Sequence, residues 1–271
     1  MPKHEGAVVH AEILVDAPPL AAWEAWALPE WISQWYVDRA DDALGHGTTV
    51  RWGFEHYGEL EIETFEAVPG ESLLFGGSWP GWPKALHEVR FTEEEGGATR
   101  VAISYSGVPD GPLHVEILHG VISGWEMALA QFKHWIEHHA EAQRTHLLSI
   151  RPARFEYADL QPFLKTGAGL TSWLASEASL KADPLEAGDE VQLMLRDDGL
   201  LSGRVLAITE REVLLEWREA GAVLGLKCYG GGPDHRRIAL DFSAWALAEV
   251  DRAPAQAILD AAAERLLQSI A

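Results

Sequence analysis

Twelve tryptophans among 271 residues set the first chemical question. Large flat side chains build a wall for an apolar ligand, and the indole N–H can orient one polar group. Trp52, Trp79, Trp82 and Trp125, with Phe75, Phe91 and Tyr105, are the rings of the first half whose positions suit such a wall. Plain core packing competes with this reading, because aromatic side chains are mostly buried whatever they do. Residues 77–84, GSWPGWPK, place two of the tryptophans and two prolines in a stiff loop that would form either a pocket mouth or a cover over the core.

Acid–base and metal chemistry have fewer candidates. His134 and His138 stand four apart beside Glu137 and His139, a spacing that can offer two imidazoles to one metal. Phe132 and Ile136 claim the buried phase, so both histidines are expected to face solvent at a helix end, where positive charge suits the dipole. No metal is expected. His114, Glu116 and His119 lie at the approach to the same helix and would serve as acid or base only beside a bound reactant, so no catalytic residue is assigned. The glycine clusters lack a strand-to-helix context, which removes the nucleophile elbow, the phosphate loop and the dinucleotide fingerprint. No cofactor is expected. Cys228, in GLKCY, reads as a small buried hydrophobe.

The elements that would carry these residues follow from periodicity. Val9, Ala11, Ile13 and Val15 alternate with polar neighbours, which predicts a half-buried strand. Asp16 and the Pro18–Pro19 pair then open a helix to Leu28, and a short helix follows from Pro29. Strands are expected over 48–56, 58–67, 72–79, 86–92 and 99–106, with a charged hairpin loop ending in Gly-Gly at 93–97. In residues 112–139, Ile122, Trp125, Leu129, Phe132 and Ile136 recur at three and four on one face, the mark of a long amphipathic helix.

A second cycle follows. Residues 141–158, with arginines, a proline and mixed polarity, read as a connection. A short helix is expected over 170–178, strands over 190–196, 203–209, 212–218, 222–229 and 236–243, and a last helix over 254–270. GHGTTVRW at Gly45 matches LEAGDEVQL at Leu185, GELEIETFEAVPGESLLFGGSW at Gly58 matches GRVLAITEREVLLEW at Gly203, and GGATRVAISYSG at Gly96 matches GGPDHRRIALDFSAW at Gly231. An offset of about 140 residues therefore points to internal duplication, with a second copy that lacks the opening strand.

Composition bounds the partners. Forty-two acidic against 21 basic side chains give a formal charge of −21, which disfavours phosphate backbones and anionic lipid surfaces. With one cysteine no internal disulfide forms, as suits a reducing compartment. No export signal and no run of 18 apolar residues appears, so a soluble cytoplasmic protein without membrane insertion or nucleic-acid contact is expected.

Four segments in order, AWALPEWISQWYV from Ala25, GELEIETFEAVPGESLLFGGSW from Gly58, VRFTEEEGGATRVAISYSGVP from Val89 and GWEMALAQFKHWIEH from Gly124, resemble the START-like (SRPBCC) superfamily, and within it the bacterial relatives of the activator of heat-shock protein 90 ATPase. The resemblance covers about 130 residues. It implies an α+β protein of two tandem helix-grip domains, 1–140 and 159–271, each a curved antiparallel sheet around a long C-terminal helix, the second reduced. It also implies an apolar cavity between the first sheet and its helix. There the strand aromatics would meet Leu118, Ile122, Trp125 and Leu129, and a small apolar ligand would bind without being transformed. A chaperone-activator-like surface for a protein partner or a homodimer is the alternative, and an enzyme on a hydrophobic substrate the third reading.

Overall fold

Alternation draws Val8–Val15 into β1, and the Pro18–Pro19 pair then starts α1 (Pro19–Ala27), where the first turn needs no N–H. Pro29 forces Leu28 into extended backbone, φ −96° and ψ 134°, which separates α1 from α2 (Pro29–Ile32). The computed structural model describes the chain except residues 1, 3, 5, 56–57, 78–83, 109, 112, 198, 231–235, 246–251 and 271.

After α2 come β2 (Arg39–Ala40), β3 (Thr49–Phe54), β4 (Gly58–Val68), β5 (Ser72–Gly77), β6 (Ala85–Glu93), β7 (Thr99–Ser106) and the long α3 (His114–His138). The strands form one sheet in the order β1-β7-β6-β5-β4-β3-β2, antiparallel at every pairing. Residues of α3 are tied to the end of β1: Glu137 Oε1 accepts from the Asp16 N–H at 2.8 Å, and Lys133 Nζ donates to the Leu14 carbonyl at 2.7 Å.

The second unit repeats this plan with β8 (Thr145–Ala153), α4 (Tyr157–Lys165), α5 (Gly167–Trp173), β9 (Ala175–Leu180), β10 (Glu190–Leu195), β11 (Leu200–Ile208), β12 (Val213–Trp217), β13 (Ala222–Tyr229), β14 (Arg236–Ala244) and α6 (Arg252–Ile270). Its sheet runs β8-β14-β13-β12-β11-β10-β9, the first order repeated strand for strand. Two compact units result, Met1–Ala142 and Gln143–Ala271, a tandem pair of helix-grip domains. The second is reduced in length: α6 has 19 residues against 25 in α3.

Three expectations are corrected. The stretch 141–158, expected to be a connection, contains β8, which pairs with β14 over nine residues. The second copy therefore has its opening strand. Mixed polarity disguised β8, because Ser149 Oγ bonds Asp260 Oδ1 at 2.6 Å and the Arg151 guanidinium reaches Asp260 and Glu264, so its polar side chains are used against α6. Finally, residues 170–178 split between α5 and β9, with Leu174 at the helix C-cap. The glycine-rich segment at 231–235 lies outside the described residues.

Candidate ligand site

Antiparallel register assembles the site. On β6, His87 lies directly opposite Phe75 of β5 and Tyr105 of β7, and period-2 alternation turns all three toward α3. The imidazole stacks on Phe75 with ring centroids 4.8 Å apart and planes 13° apart, and it meets Tyr105 edge-on at 4.8 Å. From α3, Trp125 reaches the same imidazole at 5.6 Å.

The rings then close into a circuit. Phe75 touches Trp52 at 5.4 Å, Trp52 touches Tyr36 at 5.9 Å, and Tyr36 stacks on Trp125 at 5.6 Å. Trp26 of α1 backs Trp125 from 6.0 Å. Five side chains from β3, β5, β6, α3 and the turn after α2 thus make one continuous circuit of ring contacts, with Tyr105 beside them. None carries a permanent charge.

Their electrostatics are those of a dry site. Burial, with a smaller push from His4, lowers the His87 pKa to about 3, so the imidazole is neutral at pH 7. Burial raises the Tyr36 phenol well above its usual value, with Tyr105 adding to it, and burial raises Tyr105 as well. His87 Nδ1 is buried without a hydrogen-bond partner, as are Thr64 Oγ1 of β4 and Trp26 Nε1. Polar atoms in such a place normally have partners.

Of the residues expected from sequence, Trp52, Phe75, Tyr105 and Trp125 come together around His87. Leu118 and Ile122 lie on the half-buried first half of α3, where Leu113 and Val115 are exposed, whereas the fully buried residues of that helix begin at Ser123. Leu129, one turn beyond Trp125, is core. Phe91 is buried four residues along β6 from His87, toward the other end of the strand. Trp79 and Trp82 lie outside the described residues.

His87 and Tyr36 were missed. The alternation of His87, Val89 and Phe91 with Glu88, Arg90 and Thr92 was the available signal for the first. Tyr36 follows α2 in a turn, where no period applies.

The histidines of α3 need a correction. His134 is 5% exposed, not solvent-facing, and its helical neighbours Lys133 and Glu137 are held against the end of β1. Its ring lies 5.2 Å from that of His138 and 5.0 Å from that of His139. Among the described residues no group of three His, Cys, Asp or Glu is arranged to hold a metal ion. His119 faces solvent and His114 lies 3.8 Å from Asp110, so neither joins the ring circuit. Cys228 is buried and its thiol is pushed up by burial.

Residues 16–137 match the family model described as Activator of Hsp90 ATPase homolog 1-like protein. No curated protein matches the chain. Among solved structures the chain is similar to DynU16, of the dynemicin biosynthetic locus, at 15% identity over 98% of this chain and 100% of that one, with a TM-score of 0.44. It is similar to BexL, a di-domain ARO/CYC from the BE-7585A biosynthetic pathway, at 13% identity over 97% of this chain and 94% of that one, TM-score 0.47. The Aha1 dimer from Colwellia psychrerythraea matches at 15% identity over 49% of this chain and 97% of that one, TM-score 0.43. The family model falls on the sheet and long helix that hold the ring circuit, so it is the first module that resembles the Activator of Hsp90 ATPase homolog 1-like family.

Proposed function

We propose that the first module binds, without transforming it, a small neutral and largely apolar molecule between its sheet and α3, with one hydrogen-bonding group directed at His87. The family accommodates a ligand-binding or an activator-like module, and one observation favours the ligand: the Nδ1 atom of a buried imidazole, surrounded by aromatic rings, has no partner. Leaving such an atom unpaired costs free energy, and a ligand hydroxyl or carbonyl recovers it. The imidazole and both phenols are neutral at pH 7, so an ionised ligand would meet no counter-charge there and would be poorly held.

The wall consists of Trp52, Phe75, Tyr105 and Trp125. Leu118 and Ile122 extend it along the half-buried first half of α3. Among the described residues no helix is long and apolar enough to cross a membrane. With a charge of −21, a cytoplasmic setting free of nucleic acid fits this reading.

Titration of the full chain with 2-naphthol, followed through the ring nitrogens of ¹⁵N-labelled histidine, tests it. A saturable shift of His87 Nδ1 is expected, weakened at least tenfold in Trp125→Ala. That substitution costs about 3–5 kcal/mol, so circular dichroism must first show the variant folded. Unchanged 2-naphthol affinity in a folded Trp125→Ala protein would rule the site out. Native mass spectrometry of protein purified from its own host supplies the ligand itself.

A further inference from the structure

The second module repeats the register around His87 with different side chains. In the first sheet His87 pairs with Phe75 and with Tyr105. In the second, 137 residues on from His87 and Tyr105, Leu224 pairs with Leu215 and with Phe242. An imidazole and a phenol are thus replaced by an isobutyl group and a phenyl ring.

Here the second module has a cavity of about 290 Å³, walled by Leu224, Leu240 and Phe242 of the sheet, Trp217 of β12, and Ile258 and Ala262 of α6. Among the described residues of its wall the one hydrogen-bonding side-chain atom is the Trp217 indole nitrogen, and that already donates to the Leu200 carbonyl at 3.0 Å. Leu240 and Ala262 are buried, while Trp217, Ala255 and Ile258 are half-buried and leave a way in.

We infer that this cavity is a second ligand site, selective for a neutral hydrocarbon that brings no hydrogen-bonding atom into it. Protein interiors are close-packed and seldom leave voids larger than a water molecule. An apolar cavity of about 150 Å³ stays dry yet admits benzene, and this one has room for more. A water or hydroxyl inside would find no free side-chain partner among the described residues of the wall and would give up hydrogen bonds it makes outside. The duplicated fold therefore carries two apolar sites that differ in one hydrogen-bonding group, the second standing independently of whether the first binds anything.

Methyl spectra of the full chain titrated with naphthalene test this. Saturable shifts of the Ile258 δ1 and Leu224 methyls are expected, abolished by Ala255→Trp, which fills the cavity from its half-buried side. Ile258→Trp, read through Leu224, serves if the first variant fails to fold. Against the same methyls 2-naphthol is expected to bind at least tenfold more weakly, since its hydroxyl goes unpaired. Absence of saturable shifts in the wild-type chain, or their survival in a folded filled variant, overturns the site. Equal affinity for 2-naphthol overturns its selectivity. Both readouts come from second-module methyls, so neither depends on His87.

Discussion

A buried imidazole is tolerable only while it stays neutral, and this ties the stability of the first module to pH through His87. Its pKa falls from 6.5 to about 3 on folding, chiefly because burial penalises the charged form. The groups against it are the neutral Tyr105 phenol and His4. The unfolded chain takes up this proton below pH 6.5 and the folded chain does not. His87 therefore subtracts nothing above pH 6.5, and its penalty grows as pH falls toward 3, to roughly 5 kcal/mol. His87→Leu, which installs the side chain found at Leu224, should flatten the fall of the melting temperature between pH 6.5 and 4. Equal slopes in the two proteins would show that the imidazole titrates normally and is not buried as described. At this scale much of the site was legible: strand alternation and helix phase select Trp52, Phe75, Tyr105 and Trp125. Histidine escapes a hydropathy pattern because its polarity gives it no preferred side. Tyr36 escapes for a different reason: it is delivered by a turn whose path only tertiary packing decides.

At the scale of elements, the two sheets share a bulge at the same place in the strand order. The register shifts between Thr64 and Glu66 where β4 meets β5, and between Val205 and Ala207 where β11 meets β12. Bulges kink the strand and strengthen its twist, and the two-for-one pairing falls at matching places in the two sheets. Close approach beside each bulge needs a residue without Cβ. In the first sheet Gly77 supplies it, and a methyl group there would press on Ile62 Cδ1. In the second Gly203 supplies it, and a methyl group would collide with the Glu216 carbonyl. Backbone cannot yield as a flexible side chain can, so Gly203→Ala should destabilise the second module by about 3 kcal/mol, measurable by urea denaturation. A change under about 0.5 kcal/mol would mean that the strands separate freely at the bulge. The same comparison explains what sequence concealed. Strands with one wet face, such as β4, announce themselves by alternation. In β8 the face toward α6 carries Ser149 and Arg151, satisfied by Asp260 and Glu264, and a hydropathy pattern cannot distinguish a paired arginine from a solvated one.

At the scale of the whole molecule, the repeated strand order makes β8 as integral to the second module as β1 is to the first. Matching turn and strand segments revealed the duplication because turn glycines recur at an offset of about 140 residues, while the opening strand, VVHAEILV in one copy and THLLSIRPA in the other, left no such trace. The consequence is sharp for where the chain can be divided. A fragment of residues 143–271 keeps β8 on β14, whereas one of residues 159–271 strips β14 of that neighbour along nine residues and removes Ser149 and Arg151 from Asp260. An uncovered strand of that length, with Ile238, Leu240 and Phe242 on its inner face, is a template for pairing with other chains. The longer fragment should melt cooperatively and elute as a discrete species on size exclusion; the shorter should aggregate or lose its cooperative transition. If 159–271 instead melted as 143–271 does, β8 would be an accessory strap, and the cavity beneath α6 would owe its shape to β9–β14 alone.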